Sequence, residues 1–183
     1  MKRKLEVNSV IPNLTFDDIG GCEETIKELF RCSRHLAVPQ NYLQLGVAPP
    51  RGCLLHGPPG CGKTMMANAL AGSLRVPMIT VSGTELISGI SGDSESKIRS
   101  LFDQAKSSSP CILFIDGIDV IAKKRENAQR DMELRIVSQL LSCLDDSNKS
   151  DSNQETAVVF VIGATDRLDS VDPALRTGQR LER

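Results

Sequence analysis

The chain has 183 residues, with 22 basic and 23 acidic side chains interspersed to a net charge of −1. That is enough for one domain with a core on both faces of a sheet but short for two, and its balanced charge gives no global field favouring nucleic acid or an anionic membrane. Six cysteines at 22, 32, 53, 61, 111 and 143 form no C-x-x-C pair, and Cys53 and Cys111 lie inside apolar runs, so reduced, intracellular cysteines are expected rather than a disulfide framework.

Leu5 to Phe16 is polar and carries Pro12, which predicts an extended arm over residues 1–15 ahead of a core over 16–183. Gly20-Gly21 makes an entry turn into a helix from Glu23 to about Leu36, and a loop through Val38-Pro39 and Val47-Ala48-Pro49-Pro50 leads to Arg51. A buried strand follows at Cys53-Leu54-Leu55, and a helix at Met65 to Ala71. Further strands are expected at Met78 to Val81, Cys111 to Ile115 and Ala157 to Ile162, with helices at about Ser94 to Ala105 and Met132 to Leu144 between them. Apolar, β-branched runs alternating with helices indicate an α/β fold with a parallel sheet wrapped on both faces. Asp145 to Glu155 is rich in Asp, Ser, Asn and Lys and reads as a mobile surface loop. With no run of membrane-span length, a soluble protein of the cytosol or nucleus is expected; Lys2-Arg3-Lys4 fits either a nuclear import signal or a solvated tail.

Between the first core strand and its helix lies Gly57-Pro58-Pro59-Gly60-Cys61-Gly62-Lys63-Thr64, which satisfies the phosphate-loop pattern G-x-x-x-x-G-K-[ST]. Glycines let such a loop turn its N–H groups inward at phosphate oxygens, and the following helix adds its positive end. Lys63 is placed to reach the outer phosphates of a nucleoside triphosphate and Thr64 to hold Mg²⁺. Asp116, ending the strand Cys111 to Ile115, is the expected second Mg²⁺ contact. Neither His35 nor His56 has a second ligand at metal-binding spacing.

These motifs, together with Phe16-Asp17-Asp18-Ile19-Gly20-Gly21, Gly46 to Gly52, Gly92-Asp93-Ser94-Glu95-Ser96, Ile115-Asp116-Gly117-Ile118-Asp119, Ile136 to Leu141 and Gly163-Ala164-Thr165-Asp166-Arg167, resemble the AAA ATPases over nearly the whole chain. Leu55-His56, Cys61 and Ser88 to Gly92 look most similar to the first ATPase domain of the nuclear valosin-containing-protein-like branch, with valosin-containing protein the close alternative. The resemblance implies the large subdomain of a P-loop NTPase, a hexamer of like or mixed subunits, a protein or ribonucleoprotein substrate, and work in nuclear or nucleolar ribosome maturation or, alternatively, in cytoplasmic protein disassembly. It implies adenine contacts near Asp18, Ile19 and Gly20, and a substrate-threading role for Gly89-Ile90-Ser91-Gly92, although an ordinary surface loop explains four small residues as well. By the same resemblance the chain stops at Arg183 before a last edge strand and a helical lid, leaving Cys53 to Leu55 on an apolar edge.

Three positions depart from the family pattern. Where the family carries the Glu that polarises attacking water, this chain has Gly117, with Asp119 a weak substitute; where it carries a sensor Asn, this chain has Asp166, which accepts hydrogen bonds but cannot donate them when ionised. Of the two arginine-finger positions that reach a neighbouring subunit, one aligns with Thr177 and the other with Arg180, which reads equally as a finger or as a charged residue near a terminus. Asp166 and Arg180 are therefore the remaining candidates for catalytic positions. The competing expectations are an active remodelling ATPase, a non-catalytic nucleotide-binding module that regulates an AAA ring, and a truncated product.

Overall fold

The computed structural model describes residues 9–45, 47–87, 92–121, 130–147, 158–177 and 180–181. Its elements are β1 (Ser9–Val10), α1 (Glu23–Ser33), α2 (Pro39–Leu45), β2 (Gly52–His56), α3 (Lys63–Leu74), β3 (Met78–Ser82), α4 (Gly83–Leu86), α5 (Asp93–Ser107), β4 (Cys111–Asp116), α6 (Ile118–Ile121), α7 (Arg130–Asp146) and β5 (Val159–Thr165). The sheet order is β1-β3-β4-β5-β2, with β3, β4, β5 and β2 parallel and β1 antiparallel to β3. The α/β architecture expected of the sequence is therefore present, and β2 lies at an edge among the described residues.

Successive side chains of a strand face opposite ways, and both faces of this sheet are covered. Leu113 and Ile115 of β4 pack with Ile98, Leu101 and Phe102 of α5 and Leu140 of α7. Ile112 and Phe114, one residue out of phase, join Met66, Ala67 and Leu70 of α3 and Leu29 of α1. Central strands buried on two sides must be apolar throughout, which explains why β4 and β5 read as uninterrupted runs rather than alternating ones. Burial also pushes the Cys53 thiol up and the Cys111 thiol to about 12, so both behave as small hydrophobes.

Two elements were less legible. The expected loop after Val38 contains α2, because Pro39 stands in its first turn, where the missing N–H costs nothing and the fixed φ suits a helix. Of the expected arm, residues 1–8 lie outside the described residues and the part from Ser9 is docked: Ser9 and Val10 pair with Ile79 and Met78, and the Phe16 N–H donates to Ser73 Oγ at 3.0 Å. A Cβ at Gly72 would collide with the Leu14 carbonyl oxygen, so glycine is what permits this close approach to α3. The last strand extends past Ile162 to Thr165.

His35 is buried at 1% exposure, edge-on to Tyr42 and Phe160 at ring separations of 5.8 and 5.4 Å. Its Nδ1–H donates to the Cys32 carbonyl at 3.1 Å, while Nε2 is buried without a hydrogen-bond partner among the described residues. Burial lowers its pKa from 6.5 to about 4, against a smaller opposing effect of the Cys32 carbonyl. The folded chain thus takes up this proton less readily than the unfolded one. Its contribution to stability is complete above about pH 6.5 and is lost as pH falls toward 4, by roughly 3 kcal/mol at about 1.4 kcal/mol per unit. Chemical denaturation of the wild type between pH 7 and 4 is expected to show that loss, and His35→Phe to flatten the slope; equal slopes in both proteins would refute the assignment.

Candidate functional site

Because β2, β5, β4 and β3 run parallel, their C-terminal ends share one edge, where an open α/β sheet binds ligands. His56 pairs with Thr165, Asp116 with Ala164, and Ser82 with Asp116, which places Gly57, Asp166 and Gly117 directly beyond three neighbouring strands. The phosphate loop leaves β2 here. Gly60 and Gly62 take φ of 78° and 91°, left-handed values that glycine adopts without strain, and the Gly57 N–H donates to the Thr165 carbonyl at 3.3 Å. Gly62 is the N-cap of α3 and offers no side chain to the helix's first N–H groups. Those donors and the helix dipole suit an anion.

Lys63 folds back over the loop. Its Nζ donates to Gly57 O at 2.9 Å and to Pro58 O at 3.0 Å, and pairs with Asp166 Oδ1 at 2.7 Å. Burial alone lowers the ammonium's pKa, but Asp166, together with the nearby Cys61 sulfur, outweighs it and leaves the pKa raised, so Lys63 carries its charge at neutral pH. Thr64 and Asp116 are both exposed at this edge. Among the described residues no three His, Cys, Asp or Glu side chains gather around a common point. A hard cation such as Mg²⁺ needs only one or two protein ligands when phosphate and water supply the rest, and the Thr64 hydroxyl and Asp116 carboxylate fit that role.

Two recesses flank the loop. One, of about 400 Å³, runs between α1 and β2 and is lined mainly by apolar groups of Cys22, Leu29, Leu55 and Met66, with Glu24 and Glu28 of α1 also on its wall and Gly62 and Lys63 where it meets the phosphate loop. A mainly apolar slot that ends at a phosphate loop has the polarity of a nucleotide. The other, of about 550 Å³, lies between His56-Gly57-Pro58 and Asp166 to Ser170. Asp18, Ile19 and Gly20 line neither: the Asp18 carboxylate accepts from the Thr15 N–H at 2.8 Å and caps the turn Phe16–Asp18, Ile19 packs on the α3 side of the core, and Gly20 is exposed. The lining residues Cys22, Thr25, Leu29 and Met66 went unread because they belong to ordinary amphipathic helix patterns, which carry no binding signal.

The altered positions are well defined. Gly117 has φ of 67°, and a Cβ there would meet only Val120 Cγ2 at 3.7 Å, so a side chain has room but the backbone disfavours one. Asp119 accepts from Thr165 Oγ1 at 2.8 Å, and that hydroxyl accepts from the Arg167 N–H at 2.9 Å, a tie that fixes the turn after β5. Arg180 is held within its own chain: Nε and Nη2 donate to Asp145 Oδ1 and Oδ2 at 3.0 and 2.9 Å, and Nη1 to Ala174 O at 3.0 Å. Asp145 also takes Arg51 Nη1 at 2.7 Å. Thr177 is exposed. Of the threading loop, Gly92 caps α5, while Gly89, Ile90 and Ser91 lie outside the described residues.

Residues 53–183 match the family described as ATPase family associated with various cellular activities, AAA. The chain is 56% identical to "Nuclear valosin-containing protein-like" of Mus musculus over 94% of its length and 20% of the relative's. It is 47% identical to "Ribosome biogenesis ATPase RIX7" of Saccharomyces cerevisiae, covering 100% of this chain and 22% of that protein. With "Cell division control protein 48 homolog C" of Arabidopsis thaliana the identity is 50%, over 92% and 21%. The chain thus spans about a fifth of the length of these relatives.

The backbone at Gly117 gives a test independent of nucleotide. Gly117→Ala is expected to lower stability by about 1 kcal/mol, the cost of a left-handed L-residue, without a clash. An unchanged melting temperature would mean that φ relaxes to negative values.

Proposed function

We propose a function for a chain that belongs to the AAA family of ATPases: it binds ATP or ADP with Mg²⁺ at Gly57 to Thr64 and Asp116, and hydrolyses ATP poorly. The observation that carries the reading is the charged, largely buried Lys63 over a glycine loop that opens on a mainly apolar slot. Backbone N–H groups of the loop and of α3 hold the phosphates, Lys63 neutralises the outer ones, and the slot along α1 takes the base. Thr64 and Asp116 would hold Mg²⁺, which when bound would neutralise charge at the phosphate oxygens.

Poor hydrolysis follows from what stands around that site. Gly117 offers no general base, and losing a positioned base costs about 10²- to 10⁴-fold in rate while sparing ground-state binding. Asp119 is already engaged with Thr165, which argues against its recruitment. One relative is named as nuclear and another as a ribosome biogenesis ATPase, which supports ribosome maturation in the nucleus or nucleolus as the process. The setting we propose is a hexamer of AAA subunits acting on a protein or ribonucleoprotein substrate, as the family membership suggests. A second reading, a nucleotide-binding subunit that regulates a ring of active partners, is favoured by Gly117 and Asp166 together.

Calorimetric titration with ATP and ADP in the presence of Mg²⁺ is expected to give saturable binding, weakened roughly tenfold or more in Lys63→Ala, as loss of a hydrogen bond to a charged group worth ~1.5–3 kcal/mol requires. Folded protein that binds neither nucleotide would overturn the reading. Steady-state turnover is expected to be near background in the wild type and to rise about 10²-fold or more in the Gly117→Glu, Asp166→Asn double variant. Equal turnover before and after would show that hydrolysis does not depend on these positions.

A further inference from the structure

A lysine ammonium has three N–H donors, and those of Lys63 are all taken. Two go to loop carbonyls, Gly57 O and Pro58 O, and the third meets Asp166 Oδ1 at 2.7 Å, with the Cys61 sulfur a longer, weaker contact at 3.6 Å. The two kinds of partner differ. The carbonyls are neutral and belong to the loop itself, whereas Asp166 is an anion delivered from the end of β5. Its neighbours fix it there: the Thr165 carbonyl accepts from Gly57 N–H, and the Thr165 hydroxyl links Arg167 N–H to Asp119. Lys63 is 11% exposed and Asp166 49%, so the carboxylate reaches the ammonium from the solvent side, the side from which a ligand arrives.

We propose that Asp166 is a built-in competitor for the phosphate site, a specificity-determining residue that makes the loop favour a nucleoside diphosphate over a triphosphate. The proposal rests on the reading that this loop binds nucleotide. A phosphate oxygen and the Asp166 carboxylate are chemically equivalent partners for the third Lys63 donor, and only one can hold it at a time. Any nucleotide must displace Asp166 from Lys63, which weakens binding of both. A triphosphate carries a further negative group toward the outer end of the loop, and Asp166, tethered at both sides, remains close enough to repel it. The two effects separate in experiment: the first is common to ADP and ATP, the second belongs to ATP.

The test is calorimetric titration of ADP·Mg²⁺ and ATP·Mg²⁺ into wild type, Asp166→Asn and Asp166→Ser, with circular dichroism confirming fold. The serine variant removes the charge without adding an amide donor. Both variants are expected to bind ATP about tenfold or more tightly than the wild type, with a smaller gain for ADP, so that the ATP-to-ADP affinity ratio rises in both. An unchanged ratio in both variants overturns the proposal while leaving nucleotide binding intact. A gain confined to the asparagine variant also overturns it, since an added donor and not a removed charge is then responsible. Weaker ATP binding in both would show that Asp166 helps hold the cation, again against the proposal. Binding of neither nucleotide by any of the three folded proteins fails the underlying reading itself.

Discussion

Parallel pairing of β2, β5 and β4 is the constraint on which the site depends. It puts the ends of three strands side by side, so that Gly57, Gly117 and Asp166 emerge at one edge although 60 and then 49 positions separate them along the chain. The pairing is held by burial. β4 and β5 are sandwiched between α5 and α7 on one face and α3 on the other, and a slip of one residue would exchange the two apolar sets between faces. The same register places Thr165 where its carbonyl receives the Gly57 N–H and its hydroxyl meets Asp119.

On that frame the electrostatics at the edge are asymmetric. One side of the phosphate loop opens on a mainly apolar slot with Glu24 and Glu28 on its α1 wall; the other carries Asp166, Arg167 and Asp169. Lys63 sits between them and is shared by loop carbonyls and Asp166. Its low exposure strengthens each of these contacts relative to a surface lysine, because the competing solvation is weaker. A second charge cluster, Arg51, Asp145 and Arg180, joins the start of β2 to the end of α7 and the segment after Ala174. There a single carboxylate serves two guanidinium groups, and Leu181 is buried beside it. Arg180 is thereby part of how the segment is packed, whatever further contact it makes in an assembly.

Family membership and the altered residues describe different links between structure and activity. The matched core supplies strand order, loop and helix, which are what phosphate binding requires. Gly117 and Asp166 stand outside that frame, since neither lies in the core and Gly117 touches little. The left-handed backbone at Gly117 adds a further point: the loop after β4 is shaped around glycine and is not simply missing a side chain.

Much of this was legible in the residues themselves. The phosphate loop, the four long strands and the main helices follow from local periodicity and from glycines at fixed offsets, because a loop that wraps phosphate and a strand buried on two faces each leave a pattern within ten residues. The helix at Pro39 and the docked arm were harder: proline reads as a breaker unless its place in the first turn is known, and a two-residue strand has no periodicity to detect. What tertiary structure alone decided is which distant groups meet. Asp166 closing on Lys63, Asp145 gathering Arg51 and Arg180, and the slot between α1 and β2 all depend on strand order and helix placement, and no local spacing encodes the approach of side chains that lie 35 to more than 100 residues apart.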